Sequence, residues 1–208
     1  ELGASAGVNT MMDRYGYNLG GVKVGPATSP MQIAPEWRGE GTPPAPPKGF
    51  AIRSVRGCDI TPIDLSDPKA ALRLKAYVWP DAAQRMQRID AAIQLAGERA
   101  PEVVAMDAGA FVAEQLAKPQ AEGTTRAMFH SIMWQYMPAE TQDAITAMIE
   151  EHGRKAARDR PLAWVSLETN PATFRHELRV RYRDGADGDG TPHLLANAHP
   201  HGAWVEWD

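Results

Sequence analysis

The sequence predicts an α/β fold in which a mostly parallel sheet carries helices on both faces and ends in an antiparallel C-terminal hairpin. Two observations support this prediction. Between Phe50 and Leu167, apolar segments of strand length alternate with segments that repeat apolar residues at helical spacing, as parallel strands joined by helices do. After that alternation, two short apolar segments flank a turn at residues 199–202, which predicts a closing hairpin.

The composition is typical of a soluble globular protein. The chain has 208 residues, of which 43% are hydrophobic and 23% charged, so we expect one domain over residues 1–208. No stretch approaches the roughly 20 apolar residues that span a bilayer, and a net charge of -4 gives no basic field for nucleic acid. The single cysteine, Cys58, excludes an internal disulfide and favours a cytoplasmic protein.

Two segments are unusual. The chain begins at Glu1 rather than methionine, within a pattern typical of a strand end, so we expect it to be part of a longer polypeptide with a preceding N-terminal region. Residues 18–49 are dense in glycine and proline, which prevents long helices and central strands. We expect an inserted loop there that is functional, mobile or a covering flap.

The regular elements follow in order from Phe50. Strands are predicted, from apolar or alternating patterns, at residues 51–60, 103–107, 125–130, 162–167, 175–183, 194–198 and 203–207. Helices are predicted after Asp67 and after Asp81, since an acid at the N-cap precedes each helical pattern. Two more helices are predicted over residues 110–116 and 138–152.

A glycine turn opens the chain and is the first candidate binding element. Glu1, Gly3 and Gly7 lie between a strand end and a helix start, where backbone N–H groups and absent side chains let an anion or a ribose approach. A tight strand-to-helix turn without a ligand explains the same residues.

The same turn also matches the G-x-S-x-G nucleophile elbow of α/β-hydrolases, with Ser5 at its centre. Ser5 would then attack an acyl carbon, and His199 or His201 would act as the base. The strands that precede the elbow in those enzymes, with their oxyanion-hole loop, are absent from this sequence. The hydrolase is therefore the more distant alternative.

Two further acids end predicted strands. Asp59 can accept both hydroxyls of a ribose, because a carboxylate offers two oxygens in one plane. Asp107, beside the small Ala108, can meet an adenine amino group. Each acid alone is better explained by a turn or an N-cap. Together with Glu1, however, both would lie at the carboxyl ends of strands, where open α/β sheets bind ligands.

The segment from Phe129 to Pro138 lies between a predicted strand and a predicted helix. His130 is the candidate base or hydrogen-bond donor, Ser131 follows it, and Trp134 and Tyr136 are candidates for the walls of an aromatic slot. Simple packing of this loop on the core explains the segment equally well.

Three histidines, His193, His199 and His201, lie close together near the end of the chain. Such a cluster can bind a metal. No cysteine or acid accompanies it, and residues 199–202 have the composition of a turn, so we expect a turn and no metal site.

The order of these motifs resembles that of S-adenosylmethionine-dependent methyltransferases, which implies a Rossmann-like fold. A more specific resemblance covers nearly the whole chain and is to an uncharacterised bacterial family, domain of unknown function 2332. It rests on the segments ELGASAGVN, RGCDITPIDL, VWPD, FHSIMWQYMP and HPHGAWVEW.

The methyltransferase resemblance implies S-adenosylmethionine as the cofactor and an unidentified small-molecule acceptor. The residues that it places around the cofactor are Glu1, Gly3, Ser5, Gly7, Asp59, Asp107, His130 and Ser131. It further implies that His130, Ser131 and Tyr136 line the place where methyl donor and acceptor meet. The alternative is a protein that keeps the fold and binds a nucleotide-like ligand without catalysis.

Overall fold

The computed structural model describes residues 1–79, 81–186 and 190–207. Within this part of the chain the strands, in order, are β1 (Gly16–Leu19), β2 (Val22–Val24), β3 (Gln32–Ile33), β4 (Glu36–Arg38), β5 (Gly57–Asp59), β6 (Val103–Ala105), β7 (Arg126–Ser131), β8 (Leu162–Thr169), β9 (His176–Arg183), β10 (His193–Ala198) and β11 (Trp204–Trp207). The α-helices are α1 (Pro68–Ala76), α2 (Ala83–Glu98), α3 (Ala108–Ala117) and α4 (Ala139–Gly153). Short 3₁₀ helices lie at Asn9–Arg14 and Trp134–Tyr136.

The chain divides into two compact units. The N-terminal unit comprises Ala4–Pro35 and Thr42–Ala105. The C-terminal unit comprises Glu1–Gly3, Glu36–Gly41 and Met106–Asp208. Within the described residues, no helix combines the length and the apolar composition needed to cross a membrane.

The N-terminal unit is built from two small sheets and two helices. β2 pairs antiparallel and β3 pairs parallel with β1, while β5 pairs parallel with β6. Asp67 starts α1 by accepting a hydrogen bond from the backbone N–H of Lys69, and proline occupies the first helical position, where its missing N–H costs nothing. The core joins one face of α2 to Ala6, Met11, Tyr15, Met31 and Leu65.

The C-terminal unit contains a six-stranded sheet in the order β4-β11-β10-β9-β8-β7. β7 is parallel to β8, and β11 is parallel to β4. The three pairings between them, β8–β9, β9–β10 and β10–β11, are antiparallel. Helices α3 and α4 pack on each other, and they bury apolar residues such as Phe111, Val112, Ile145 and Ile149.

The predicted fold class is wrong. The sheet is mixed and mainly antiparallel, rather than a Rossmann-like, mostly parallel sheet with helices on both faces. Only residues 170–175 separate β8 from β9. A parallel return would need a crossover of a dozen or more residues, whereas a short turn joins antiparallel neighbours. The alternating pattern at 175–183 therefore belongs to a hairpin.

The end of the chain is antiparallel, as β10 and β11 show, but this hairpin is not at the edge of the sheet. β4, from the glycine- and proline-rich residues 18–49, adds beyond β11. Trp37 on β4 stacks on Trp207 of β11, with 5.8 Å between ring centroids. Apart from β4, this segment also contributes β2 and β3 to the N-terminal unit.

Candidate functional site

The C-terminal unit holds a cavity of about 300 Å³, lined mainly from β7, β8 and β9. The register explains which residues meet there: His130 on β7 lies opposite Ser166 on β8, and Ser166 lies opposite Arg179 on β9. Since side chains two apart on a strand share a face, Trp164, Glu168 and Arg181 lie on that face too. All six residues line the cavity.

The central pair of the site is His130 with Glu168. His130 is 4% exposed, and its Nδ1 lies 2.7 Å from Oε1 of Glu168. The same oxygen accepts the backbone N–H groups of Met133 and Trp134, at 3.1 and 3.2 Å. These two amides follow β7 directly, so the turn after this strand fixes the carboxylate that holds the histidine.

These contacts determine the tautomer of His130. An oxygen that accepts two backbone N–H groups acts as a carboxylate acceptor, so Nδ1 of His130 carries the hydrogen that points to Glu168. In the neutral ring, Nε2 is then an acceptor with a free lone pair. Nε2 is buried and has no hydrogen-bond partner within the described part of the chain. The arrangement is that of a base oriented by a carboxylate.

Two tryptophans enclose this histidine. The ring of Trp134 stacks on His130, with 4.7 Å between centroids and 23° between planes. Trp164 lies 6.0 Å from His130 and 5.5 Å from Trp134, tilted to both. Its Nε1 is buried and, among the described residues, has no hydrogen-bond partner. The wall of the cavity is therefore largely aromatic.

The charged side chains at the cavity are paired. Arg179 contacts Glu177 at 2.6 Å, and Arg181 contacts Glu150 at 2.6 Å while its guanidinium lies over the Trp164 ring. Burial raises the pKa of Glu177, but hydrogen bonds from Asn170 and Arg179 outweigh it, so that the pKa lies below its usual value. Glu177 is thus held as a carboxylate.

The structure places several predicted site residues on β7 or next to it. Leu2 forms a parallel bridge with His130, which brings Glu1 and Gly3 to β7, and Ser131 is the last residue of that strand. Trp134 lines the cavity, whereas Tyr136 lies outside the lining and is 77% exposed.

Asp107 is the N-cap of α3. Its Oδ1 accepts the backbone N–H groups of Gly109 and Ala110, so helix capping explains this acid without a ligand. Gly3 has a φ of +66°, and a Cβ there would lie 3.0 Å from Met133. Packing and backbone conformation together account for glycine at that position.

The remaining predicted cofactor residues lie in the N-terminal unit. The half-buried Asp59 accepts the backbone N–H of Ser5 on Oδ2 and that of Thr61 on Oδ1. Because each carboxylate oxygen has a second lone pair, Asp59 fits the ribose role by its chemistry. A Cβ on Gly7 would lie 2.7 Å from Pro101, so side chains of the protein itself fill the space that a ligand cradle would need.

The hydrolase alternative rests on Ser5 and on two histidines. Ser5 is exposed and has a left-handed backbone, with a φ of +50°, as expected for a sharp turn. It belongs to the N-terminal unit, whereas His199 and His201 form the turn between β10 and β11 in the C-terminal unit. His199 packs edge-on to Trp204 at 6.2 Å. Among the described residues, no cluster of three or more potential ligands can hold a metal ion.

Sequence reasoning missed Glu168, Trp164, Arg179 and Arg181. The predicted strand 162–167 ended one residue before Glu168, although an acid at the end of a strand was the signal used for Asp59 and Asp107. The alternation of apolar and charged residues over 175–183 predicts a half-buried strand, but it gives the arginines no role. Their pairing with acids across the sheet depends on strand order, which a local pattern does not contain.

A family model described as an uncharacterised protein conserved in bacteria, domain of unknown function 2332, matches residues 1–207. The chain belongs to this family. Comparison with curated proteins and with solved structures found no match for the chain. The family description gives no activity, so the function is argued below from the cavity.

Proposed function

We propose that this protein is an enzyme that uses His130 as a general base on a small molecule in the cavity, and that the reaction is methyl transfer. The observation that carries the proposal is the hydrogen bond of 2.7 Å between His130 and Glu168. It leaves Nε2 as a buried acceptor with no partner among the described residues.

The chain's residues would act as follows. Nε2 of His130 accepts the proton of an acceptor group such as a hydroxyl, and the carboxylate of Glu168 stabilises the imidazolium that forms. A bound sulfonium donor would supply the methyl group to the acceptor oxygen, and its sulfur would leave as a thioether. Trp134 and Trp164 keep water away from the base. Base catalysis of this kind contributes about 10²–10⁴-fold to a rate.

S-adenosylmethionine is the proposed methyl donor, because it supplies a methyl group on a sulfonium that is ready for transfer. This assignment rests on the sequence resemblance.

The donor assignment is tested by calorimetry with S-adenosylmethionine and S-adenosylhomocysteine. We expect both compounds to bind. If neither compound binds to the wild-type protein, methyl transfer is wrong.

The role of His130 is tested with S-adenosylmethionine labelled on the methyl group and a bacterial small-molecule extract. We expect transfer of label by the wild type and a loss of about 10²-fold or more in His130→Phe. His193→Phe, at an exposed position on β10, is the control and should keep the wild-type rate. Binding of both compounds with no transfer of label would favour the alternative of a non-catalytic nucleotide-like ligand-binding protein.

A further inference from the structure

We propose that the acceptor is an aromatic compound with a carboxylate, and that Arg179 and Arg181 hold this carboxylate. This inference rests on the proposed function, since it names the substrate class of the same cavity. Three properties of the lining support it. Two arginines from one strand belong to it, their bonds to glutamates leave N–H donors over, and two tryptophans lie in the same lining.

The two arginines are neighbours on one face of the sheet. Arg179 and Arg181 are two apart on β9, so their side chains leave the strand on the same face, from Cα positions about 7 Å apart. Both line the cavity, and their side chains are 35% and 33% exposed. Ser166, opposite Arg179 on β8, adds a hydroxyl to the lining. Because both arginines are partly exposed and line one cavity, an oxyanion in it can reach both.

The glutamate partners use only part of each guanidinium. An arginine has more N–H donors than one carboxylate has acceptor sites. Nε of Arg179 donates to Oε2 of Glu177 at 2.7 Å, and Nη2 lies 2.6 Å from the same oxygen. Nη1 of Arg181 donates to Glu150 at 2.6 Å. Neither arginine has a hydrogen bond to any other described residue, so N–H groups of both remain for a second acceptor.

Glu150 compensates the charge of Arg181 only in part. Its Oε1 accepts from Arg181, while its Oε2 contacts Arg183 at 2.5 Å, so two guanidinium groups share one carboxylate. The acid in the lining, Glu168, is already stabilised by His130 and by two backbone N–H groups. A carboxylate that enters the cavity therefore gains a charge-assisted contact with Arg181 without displacing a partner.

The tryptophans orient Arg181 and suit an aromatic ring. The guanidinium carbon of Arg181 lies 4.8 Å from the centre of the Trp164 ring, and a stacked guanidinium keeps the N–H groups at its edge for hydrogen bonds. Trp134 lies 5.5 Å from Trp164, with 53° between the planes. Aromatic pairs prefer offset-stacked and edge-to-face contacts. A cavity of about 300 Å³ is at the small end of ligand sites, which suits one or two fused rings.

Two naphthalene compounds test this class by calorimetry on the whole chain without cofactor. The probes 2-naphthoate and 2-naphthamide share the rings and nearly the same shape, but only 2-naphthoate is charged. We expect 2-naphthoate to bind about 10-fold more tightly, because hydrogen bonds between charged groups are stronger than those to a neutral acceptor. Added salt should weaken this preference. Equal or tighter binding of the amide, or no binding of 2-naphthoate, would overturn the inference.

Lysine at the two arginine positions tests the contact without leaving a glutamate unpaired. Arg179→Lys and Arg181→Lys keep a cation and lose the planar set of donors. Each should weaken 2-naphthoate by about 3- to 10-fold and change 2-naphthamide much less. Arg175→Lys is the control and should change neither, because Arg175 pairs with Glu206 outside the cavity lining. Binding of 2-naphthoate that both cavity variants leave unchanged would contradict the assigned contact.

Glu177→Gln should change the affinity in the opposite direction. Glutamine keeps an acceptor for the side chain of Asn170 and removes the charge that competes for Arg179. We therefore expect 2-naphthoate to bind about 2- to 5-fold more tightly than to the wild type. A purely structural role of Arg179 gives no such gain, so unchanged or weaker binding would contradict a ligand contact at this residue.

The two levels of the argument can fail separately. If 2-naphthoate is preferred and the arginine variants weaken it while S-adenosylmethionine does not bind, the ligand class of the cavity is supported and methyl transfer is wrong. If S-adenosylmethionine binds and 2-naphthamide binds as tightly as 2-naphthoate, methyl transfer is retained and the acceptor class is wrong.

Discussion

Replacing Glu168 with alanine is expected to destabilise the protein by about 3–4 kcal/mol. One oxygen of this residue accepts three hydrogen bonds, from His130 and from two backbone amides, at 2.7, 3.1 and 3.2 Å. Hydrogen bonds to a charged group contribute about 1.5–3 kcal/mol each, so the lower limits sum to about 4.5 kcal/mol. Because the side chain is 18% exposed, water can replace part of that loss.

Replacing Glu168 with glutamine removes the charge but keeps a hydrogen-bond acceptor, so it distinguishes the two contributions to stability. Glu168→Gln keeps an oxygen that can accept, so its loss should be only about 1–2 kcal/mol. Both variants are compared by urea unfolding at pH 7, followed by tryptophan fluorescence. Glu151→Ala, whose exposed side chain pairs with Lys155, serves as the control and should not shift the midpoint. Equal losses in the alanine and glutamine variants would refute the argument that Glu168 organises the turn after β7 through hydrogen bonds.

Three further predictions use the same unfolding assay. Burial raises the pKa of Glu150, but hydrogen bonds from Arg181 and Arg183 have the larger effect, so the pKa lies below its usual value. Its contribution to stability is therefore present above its unfolded pKa of about 4.3 and is lost as the pH falls through the lower folded value. The urea midpoints of wild type and Glu150→Gln should converge between pH 7 and pH 3, and a gap that stays constant would contradict this. Asp107→Ala should cost about 1 kcal/mol and Asp107→Asn much less, because asparagine can still cap α3; identical midpoints would argue against capping. Gly7→Ala should cost about 1–3 kcal/mol more than Gly49→Ala, since both have a positive φ but only a Cβ on Gly7 meets neighbouring atoms; equal costs would exclude the clash.

The sequence predicts individual elements better than their arrangement. β7 was predicted at 125–130 and lies at Arg126–Ser131, because alternation of buried and exposed residues is a local property. The helix predicted at 110–116 lies at Ala108–Ala117, and the acid that precedes it is the cap. In both cases the predicted bounds of the element lie within a few residues of the bounds in the structure.

The direction in which strands pair is not local, and there the prediction was wrong. β8 and β9 were expected to belong to a mainly parallel sheet, yet the short connection at residues 170–175 makes them antiparallel. The candidate site likewise contains one residue that a local pattern identifies and one that depends on strand order. His130 was identified as the candidate base from its position after a strand, whereas Glu168 is its partner only because β8 lies beside β7.

The pairing of β4 with β11 has a consequence for how the C-terminal unit folds. These strands come from opposite parts of the sequence, and the stacking of Trp37 on Trp207 joins them. Contacts between residues so far apart in the chain slow folding, because the entropy of closing the intervening loop is lost before the contact is gained. Until β4 arrives, β11 exposes an unpaired edge, and such edges promote association between chains. In the folded unit, the residues around Trp37 cover that edge of β11.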